Sequence, residues 1–212
     1  MGQRLLARTT TAPLSLLEER LEALGARPTG RYKTTCSYLL PRAPDTGLQE
    51  LFDIAQSETA QRYLVSHGGD GATRVMRSGP GIGAILDASH THTQRVKVVI
   101  EGHAHSCGDF VVRAGQFYKN DKLSGVCVEL EYLPCALPSA IAAPLQALLN
   151  RLLPEAERDF CSSSSDSYAD ARDLPPLVGP EHSALLLVGL LRSRVLMTKA
   201  AESRPAAGMS AT

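Results

Sequence analysis

The stretch from Cys107 to Cys135 constrains the fold more than any other, because its side chains alternate at the period of a β-strand rather than a helix. Val126, Val128, Leu130 and Tyr132 fall on one face, and Cys127, Glu129 and Glu131 on the other. A strand patterned in this way packs one face on a core and turns the other to water or a tunnel. In the run before it, Phe110, Val112 and Ala114 oppose Asp109, Val111 and Arg113, and Asn120-Asp121-Lys122 supplies turn chemistry between the two. The economical reading is an antiparallel hairpin. Val96, Val98 and Ile100 alternate just upstream, which extends the hairpin to a three-stranded meander.

The order Gly108-Asp-Phe-Val-Val-Arg-Ala-Gly115, then Gly125-Val-Cys-Val-Glu-Leu-Glu-Tyr-Leu-Pro-Cys135, then the Leu-Leu-x-x-Leu-Leu pattern of Leu148 to Leu153, resembles the subunit 20 family of the Mediator complex. Mediator is the coactivator that bridges transcription factors to RNA polymerase II. The run Arg95-Val-Lys-Val-Val-Ile-Glu-Gly-His103 is similar to the strand preceding this hairpin in the family. A leading amphipathic helix followed by Gly30-x-Tyr32-x-x-x-Cys36 also sits in the expected order. The resemblance extends loosely from Leu14 to Leu153 and is most specific from Val96 to Pro154. It implies an α+β fold, an antiparallel many-stranded β-barrel with flanking helices as in Mediator subunits 18 and 20. It also implies a non-catalytic, cofactor-free subunit of the Mediator head module in the nucleus. Such a subunit pairs with Mediator subunit 18, is held with a segment of Mediator subunit 8, contacts other head subunits and meets RNA polymerase II indirectly.

Charge and cysteine usage narrow the alternatives. With 22 basic and 22 acidic side chains the formal net charge is zero, so nothing in the total favours direct binding to nucleic acid, which needs a basic patch. That weighs against a DNA-binding role, which the family's historical link to TATA-binding-protein-related factors would suggest. No membrane contact is expected, because the longest apolar run, Ala184 to Leu191, is far short of the roughly 20 residues of a spanning helix. The start of the chain lacks the layout of a secretory signal, and a soluble intracellular protein is expected. Cys36, Cys107, Cys127, Cys135 and Cys161 are odd in number and have no paired short spacing, so they read as reduced thiols.

Along the chain, Leu14, Leu17, Leu21 and Leu24 recur at helical spacing, and the pattern predicts a helix from Pro13 to Leu24 with Gly25 as its cap. Arg31 to Leu40 reads as a strand and Pro41 to Gly47 as a loop. From Leu51 to Ile100 the glycines at 68, 69, 71, 79, 81 and 83 interrupt the pattern, and Gly68 to Thr93 departs from the family order of a strand pair and longer helix. Ser139 is a candidate N-cap for a helix carrying Ile141, Leu145, Leu148 or Leu149, and Leu152 on one face, which starts near Pro144 or is kinked there. The expected organisation is a barrel-like domain over residues 1–160, a Ser/Pro-rich loop over 161–180, a helix over 181–199 packing on the same domain, and a disordered tail over 200–212. That last helix is apolar nearly all round, so it must be covered by the chain's own sheet or by a partner. Leu185, Leu186, Val188, Leu190 and Leu191 are its candidate partner-binding residues.

Candidate chemistry is sparse. His90-x-His92 and His103-x-His105 have metal-ligand spacing on a strand, and Asp109 gives the second pair a cupin-like look, but the only later histidine is His182. The simpler reading is exposed turn histidines beside Gly102 and Ser106. Glu129 and Glu131 share a face and could hold a divalent ion in a triphosphatase-like tunnel, with Arg95, Lys97 and Arg113 as phosphate donors. The simpler reading is a solvated sheet face with cross-strand ion pairs. Gly79-Pro-Gly-Ile-Gly83 lacks the strand, helix and Lys-Ser/Thr of a phosphate loop, and no Gly-x-Ser-x-Gly elbow is present. The chain is therefore expected not to be an enzyme, a metal-dependent barrel enzyme of triphosphatase-like or cupin-like type being the alternative.

Overall fold

In the computed structural model, residues 4–43, 47–67, 72–134, 138–163, 171–172, 174 and 179–196 are described. Cys135, three of the glycines (68, 69, 71), most of the Ser-rich stretch, the tail from Met197 onward and the side chains of Ser139 and Ile141 lie outside them.

Ten strands form one sheet: β1 Arg4–Thr9, β2 Arg27–Pro41, β3 Leu51–Gln56, β4 Arg62–His67, β5 Thr73–Ser78, β6 His92–Cys107, β7 Phe110–Lys119, β8 Lys122–Tyr132, β9 Phe160–Ser163 and β10 Ala171–Arg172. Their order across the sheet is β10-β5-β4-β3-β2-β6-β7-β8-β1-β9. Every neighbouring pair is antiparallel except β10 on β5. The expected hairpin is β7–β8, closed at Lys119↔Lys122. Asn120 and Asp121 stand at φ 47° and 63°, the paired positive dihedrals of a type I′ turn, which suits short Asn and Asp side chains. The histidines expected in a turn, His103 and His105, lie inside β6, which continues the Val96 alternation to Cys107.

Among the described residues the α-helices are α1 Leu14–Ala23, α2 Ile82–Ser89, α3 Pro138–Leu152 and α4 Pro180–Leu190, the last continued by a π-helical turn over Leu191–Leu196. Gly25 ends α1 at φ 73°, as its position suggested. Pro144 sits within α3. Gly68 to Thr93, the stretch that departs from the family order, contains β5 and the short helix α2, and β1 and β9 are strands where no strand was foreseen.

The sheet has two apolar faces and a core on each. Leu6, Tyr32, Cys36, Phe52, Ile54, Tyr63, Val65, Val98, Ile100 and Phe117 turn inward and pack on α4 and the π-helical turn. Leu5, Ala7, Val112, Ala114, Val126, Val128 and Leu130 turn outward beneath α1 and α3, through Leu17, Leu21, Leu145, Leu149 and Leu152. Tyr132 and Phe110 pack at the edge of this second core, their rings 5.0 Å apart. The antiparallel α+β class is therefore present, but the barrel is open. Among the described residues β9 and β10 are the two edges and do not pair with each other. Instead α4 touches β4 and β5 near one end of the sheet and β1 and β9 at the other. An apolar helix thus fills the gap that strand pairing would otherwise have to close.

Where β6 crosses β7 the sheet depends on glycine. Gly102 pairs with Gly115, and a Cβ on Gly102 would stand 2.0 Å from the Ala114 carbonyl oxygen. A backbone atom in the middle of a ladder cannot step aside, so Gly102→Val is expected to destabilise the protein by about 3 kcal/mol or more. Urea denaturation checks this, and a midpoint unchanged from wild type would contradict the close approach.

Candidate functional site

β1 begins with Arg4-Leu-Leu-Ala-Arg8, and by parity Arg4, Leu6 and Arg8 point to the inner face. β1 pairs with β8 so that Arg4 lies opposite Glu131 and Leu6 opposite Glu129. Arg4 Nη1 donates to Glu129 Oε1 at 2.9 Å, and Nη2 to Glu131 Oε1 at 2.9 Å. From β7, Arg113 Nη1 donates to Glu131 Oε2 at 2.8 Å and Nε to Glu58 Oε2 at 2.7 Å. α4 closes the cluster from above, where the Ser183 hydroxyl donates to Glu129 Oε1 at 2.7 Å, and the Tyr32 hydroxyl donates to Glu129 Oε2 at 3.4 Å. Glu129 and Glu131 are 5% and 6% exposed, so the solvated face expected for them is a buried ion-pair network.

Burial by itself would raise the Glu129 pKa. The Arg113 and Arg4 guanidinium groups and the Ser183 hydroxyl overcome that and hold the carboxyl below the usual glutamate range. For Arg113, burial acts to lower the pKa and Glu129, Glu131 and Glu58 outweigh it, which fixes the guanidinium as a cation. Tyr32 is pushed up by burial and by the Glu129 charge, so it stays a neutral donor. Every oxygen of the two carboxylates already accepts a hydrogen bond, and the charge of both is met by Arg4 and Arg113, so an incoming divalent ion would have to compete with two fixed guanidinium cations. The space beside them, lined by Tyr32, Thr34, Ile100, Glu129, Ser183 and Leu186, is about 10 Å³, room for roughly one water and far short of a nucleotide. Arg95 and Lys97, the other donors considered for a phosphate clamp, are exposed away from this cluster.

The histidines do not converge either. His103 and His105 stand on the outer face beside α1, with His103 Nδ1 3.6 Å from Glu18. The His105 pKa is lowered by burial and then by His103. His182 is on α4, where its Nδ1 accepts the Gly179 N–H at 2.9 Å, and it serves the start of that helix. His92 Nε2 is 3.0 Å from the Gln49 carbonyl oxygen. Among the described residues, no group of three or more His, Cys, Asp or Glu side chains is placed to hold a metal ion, and no helix is long and apolar enough to cross a membrane.

The five residues expected to meet a partner are spoken for within the chain. Leu185, Leu186, Val188, Leu190 and Leu191 are 5%, 0%, 3%, 0% and 1% exposed, all in the inner core. Of the two covers open to this helix, the chain supplies its own. Sequence reasoning also missed Arg4, Ser183, Tyr32 and Glu58. The available signal was Arg4-x-x-x-Arg8, two cations on one strand face, complementary to Glu129, Glu131 and Asp159; Arg8 does reach Asp159 at 2.7 Å.

A curled antiparallel sheet whose interior is occupied by its own helix and whose charged groups are mutually neutralised defines a scaffold rather than a reaction chamber. Residues 6–176 match the family described as TATA-binding related factor (TRF) of subunit 20 of Mediator complex. Two curated relatives carry the name Mediator of RNA polymerase II transcription subunit 20. The protein from Anopheles gambiae is 24% identical over 174 residues, 80% of this chain and 76% of its own length. The one from Aedes aegypti is 24% identical over 131 residues, 60% of this chain and 59% of its own length. The chain belongs to the Mediator subunit 20 family, and its function is that of a non-catalytic Mediator subunit acting in RNA polymerase II-dependent transcription through contacts with other Mediator subunits. Among solved structures it is similar to the PH1012 protein from Pyrococcus horikoshii OT3, with 13% identity, a TM-score of 0.49 and coverage of 75% of this chain and 94% of that one. A chain of the Schizosaccharomyces pombe Mediator head module gives 15% identity, a TM-score of 0.42 and coverage of 76% and 96%. Likenesses this distant say nothing about what the chain binds.

Proposed function

We propose that the protein is a nuclear scaffold subunit of the Mediator head module, paired with Mediator subunit 18 and held with a segment of Mediator subunit 8. The observation that carries this reading is the sealed interior. Glu129, Glu131, Arg4 and Arg113 neutralise one another beneath Ser183 of α4, so the outer surface is what the molecule has to offer. Family membership over residues 6–176 supports the choice of Mediator subunits as the occupants of that surface. Co-expression with Mediator subunits 18 and 8 followed by size-exclusion chromatography tests it. A single co-eluting species is expected. A folded chain that elutes alone in the presence of both folded subunits would overturn the pairing.

A further inference from the structure

Among the described residues, one row of side chains crosses the outer face between α1 and α2 with no helix above it. The register places Ala55 opposite Thr35, Thr35 opposite Val99, Val99 opposite Tyr118 and Tyr118 opposite Leu123. Directly paired residues share a face, so these five form a continuous strip from β3 to β8, about 19 Å long at strand spacing. The first four are half-buried and Leu123 is 60% exposed.

The backbone is bent to put Leu123 there. Two residues of β8, Ser124 and Gly125, oppose the single Phe117 of β7, a bulge that flips the parity and turns Leu123 to the same side as Val126. Gly125 sits at φ 137°, and a Cβ there would stand 2.4 Å from the Thr9 carbonyl oxygen. Without the bulge Leu123 would fall on the inner face. Leu123 also borders a cleft of about 510 Å³ shared with Ala12, Pro13, Leu14 and Gln116, which continues the strip toward α1.

Charge on this face is not balanced as it is in the whole chain. Arg31, Lys33 and Lys97 project from the same side of β2 and β6; Glu101 is 3.0 Å from Lys33, Glu18 of α1 stands by His103, and Asp53 is taken up by Arg62. Among the described residues Arg31 and Lys97 have no ion-pair partner, although the chain as a whole is neutral. Resting on the reading of the chain as a Mediator scaffold, we propose that this strip is the docking site for an amphipathic helix of another subunit, apolar along one face and acidic along its edges. Three helical turns span about 16 Å, a match to the strip, and carboxylates on either flank of the apolar stripe fall toward Lys97 on one side and Lys33 and Arg31 on the other. The attraction is electrostatic in its steering and apolar at its centre.

The test uses the full-length chain and two fluorescein-labelled synthetic helices of equal length and identical Leu stripe, one with Glu and one with Lys along its edges, read by fluorescence anisotropy. The Glu-edged helix is expected to bind more tightly than the Lys-edged one. Leu123→Glu and Lys97→Glu, both at exposed positions, are each expected to weaken it about tenfold without moving the thermal midpoint. No binding of the Glu-edged helix, equal binding of both, or affinity unchanged in both variants overturns the docking site. Concentration-dependent dimerisation abolished by Leu123→Glu overturns it too, by assigning the face to a second copy. If the Glu-edged helix does not bind while the chain co-elutes with Mediator subunits 18 and 8, the strip is wrong and the scaffold reading survives. If the chain binds the Glu-edged helix and co-elutes with neither subunit, the pairing is wrong and the strip survives.

Discussion

Leu186→Asp is expected to unfold the protein, and so is termination after Gly179. Leu186 is fully buried between the inner face of the sheet and the Glu129 cluster, lining the small void beside Ser183. An aspartate there has no described cation to itself, because Arg4 and Arg113 are already engaged by Glu129 and Glu131. An uncompensated buried carboxylate costs about 4 kcal/mol or more, a large fraction of the 5–15 kcal/mol that stabilises a typical domain. Truncation has a different cause and the same outcome: Leu6, Ile54, Val65, Val98, Ile100 and Phe117 would face water across an open sheet. Thermal melts by circular dichroism measure both. A cooperative, wild-type transition in either variant would show that α4 is an appendage.

The second large effect lies beneath it. Glu129→Leu leaves Arg4 with Glu131 alone, which it then shares with Arg113, and takes away the acceptor of the Ser183 and Tyr32 hydroxyls; breaking a buried pair from one side costs about 3–5 kcal/mol. Glu129→Gln keeps the shape and loses the charge, so its cost is smaller but well above the few tenths of a kcal/mol of a solvated glutamate. Pairing Arg4→Met with Glu129→Leu leaves Arg113 between the buried Glu131 and the more exposed Glu58, and the double variant should be less destabilised than the two single losses added together. The pH dependence has a definite sign. The folded Glu129 pKa lies below its unfolded value, so its stabilisation is fully present above about pH 4.3 and is lost as pH falls through the folded pKa. Wild type should therefore lose stability in acid more steeply than Glu129→Gln; parallel acid melts would contradict the network.

The half of this fold that pairs residues close in sequence was legible beforehand. Alternation from Val126 to Tyr132 identified the outer core, Asn120-Asp121 identified the hairpin turn, and the leucines of α1 and α3 identified the helices that cover it. What escaped was long-range. Nothing local distinguishes a solvated Glu129 from one whose cation lies 125 residues away, and β1 is too short to declare itself without its partners β8 and β9. The apolar character of α4 was plain from Ala184 to Leu191, but whether sheet or partner covered it depended on the curl of ten strands. The glycines between β4 and α2 hid β5, since broken apolar runs carry little period.

Native-state amide hydrogen exchange of the isolated chain tests the sealed interior most directly. If α4 is part of the core, amides from Leu185 to Leu190 exchange only by global unfolding, with the same opening free energy as those of Val98, Ile100 and Val128 in the central strands. If they exchange early by local opening while the strands stay protected, the helix is a detachable element held ready for a partner, and the scaffold with a closed interior described for this protein is wrong.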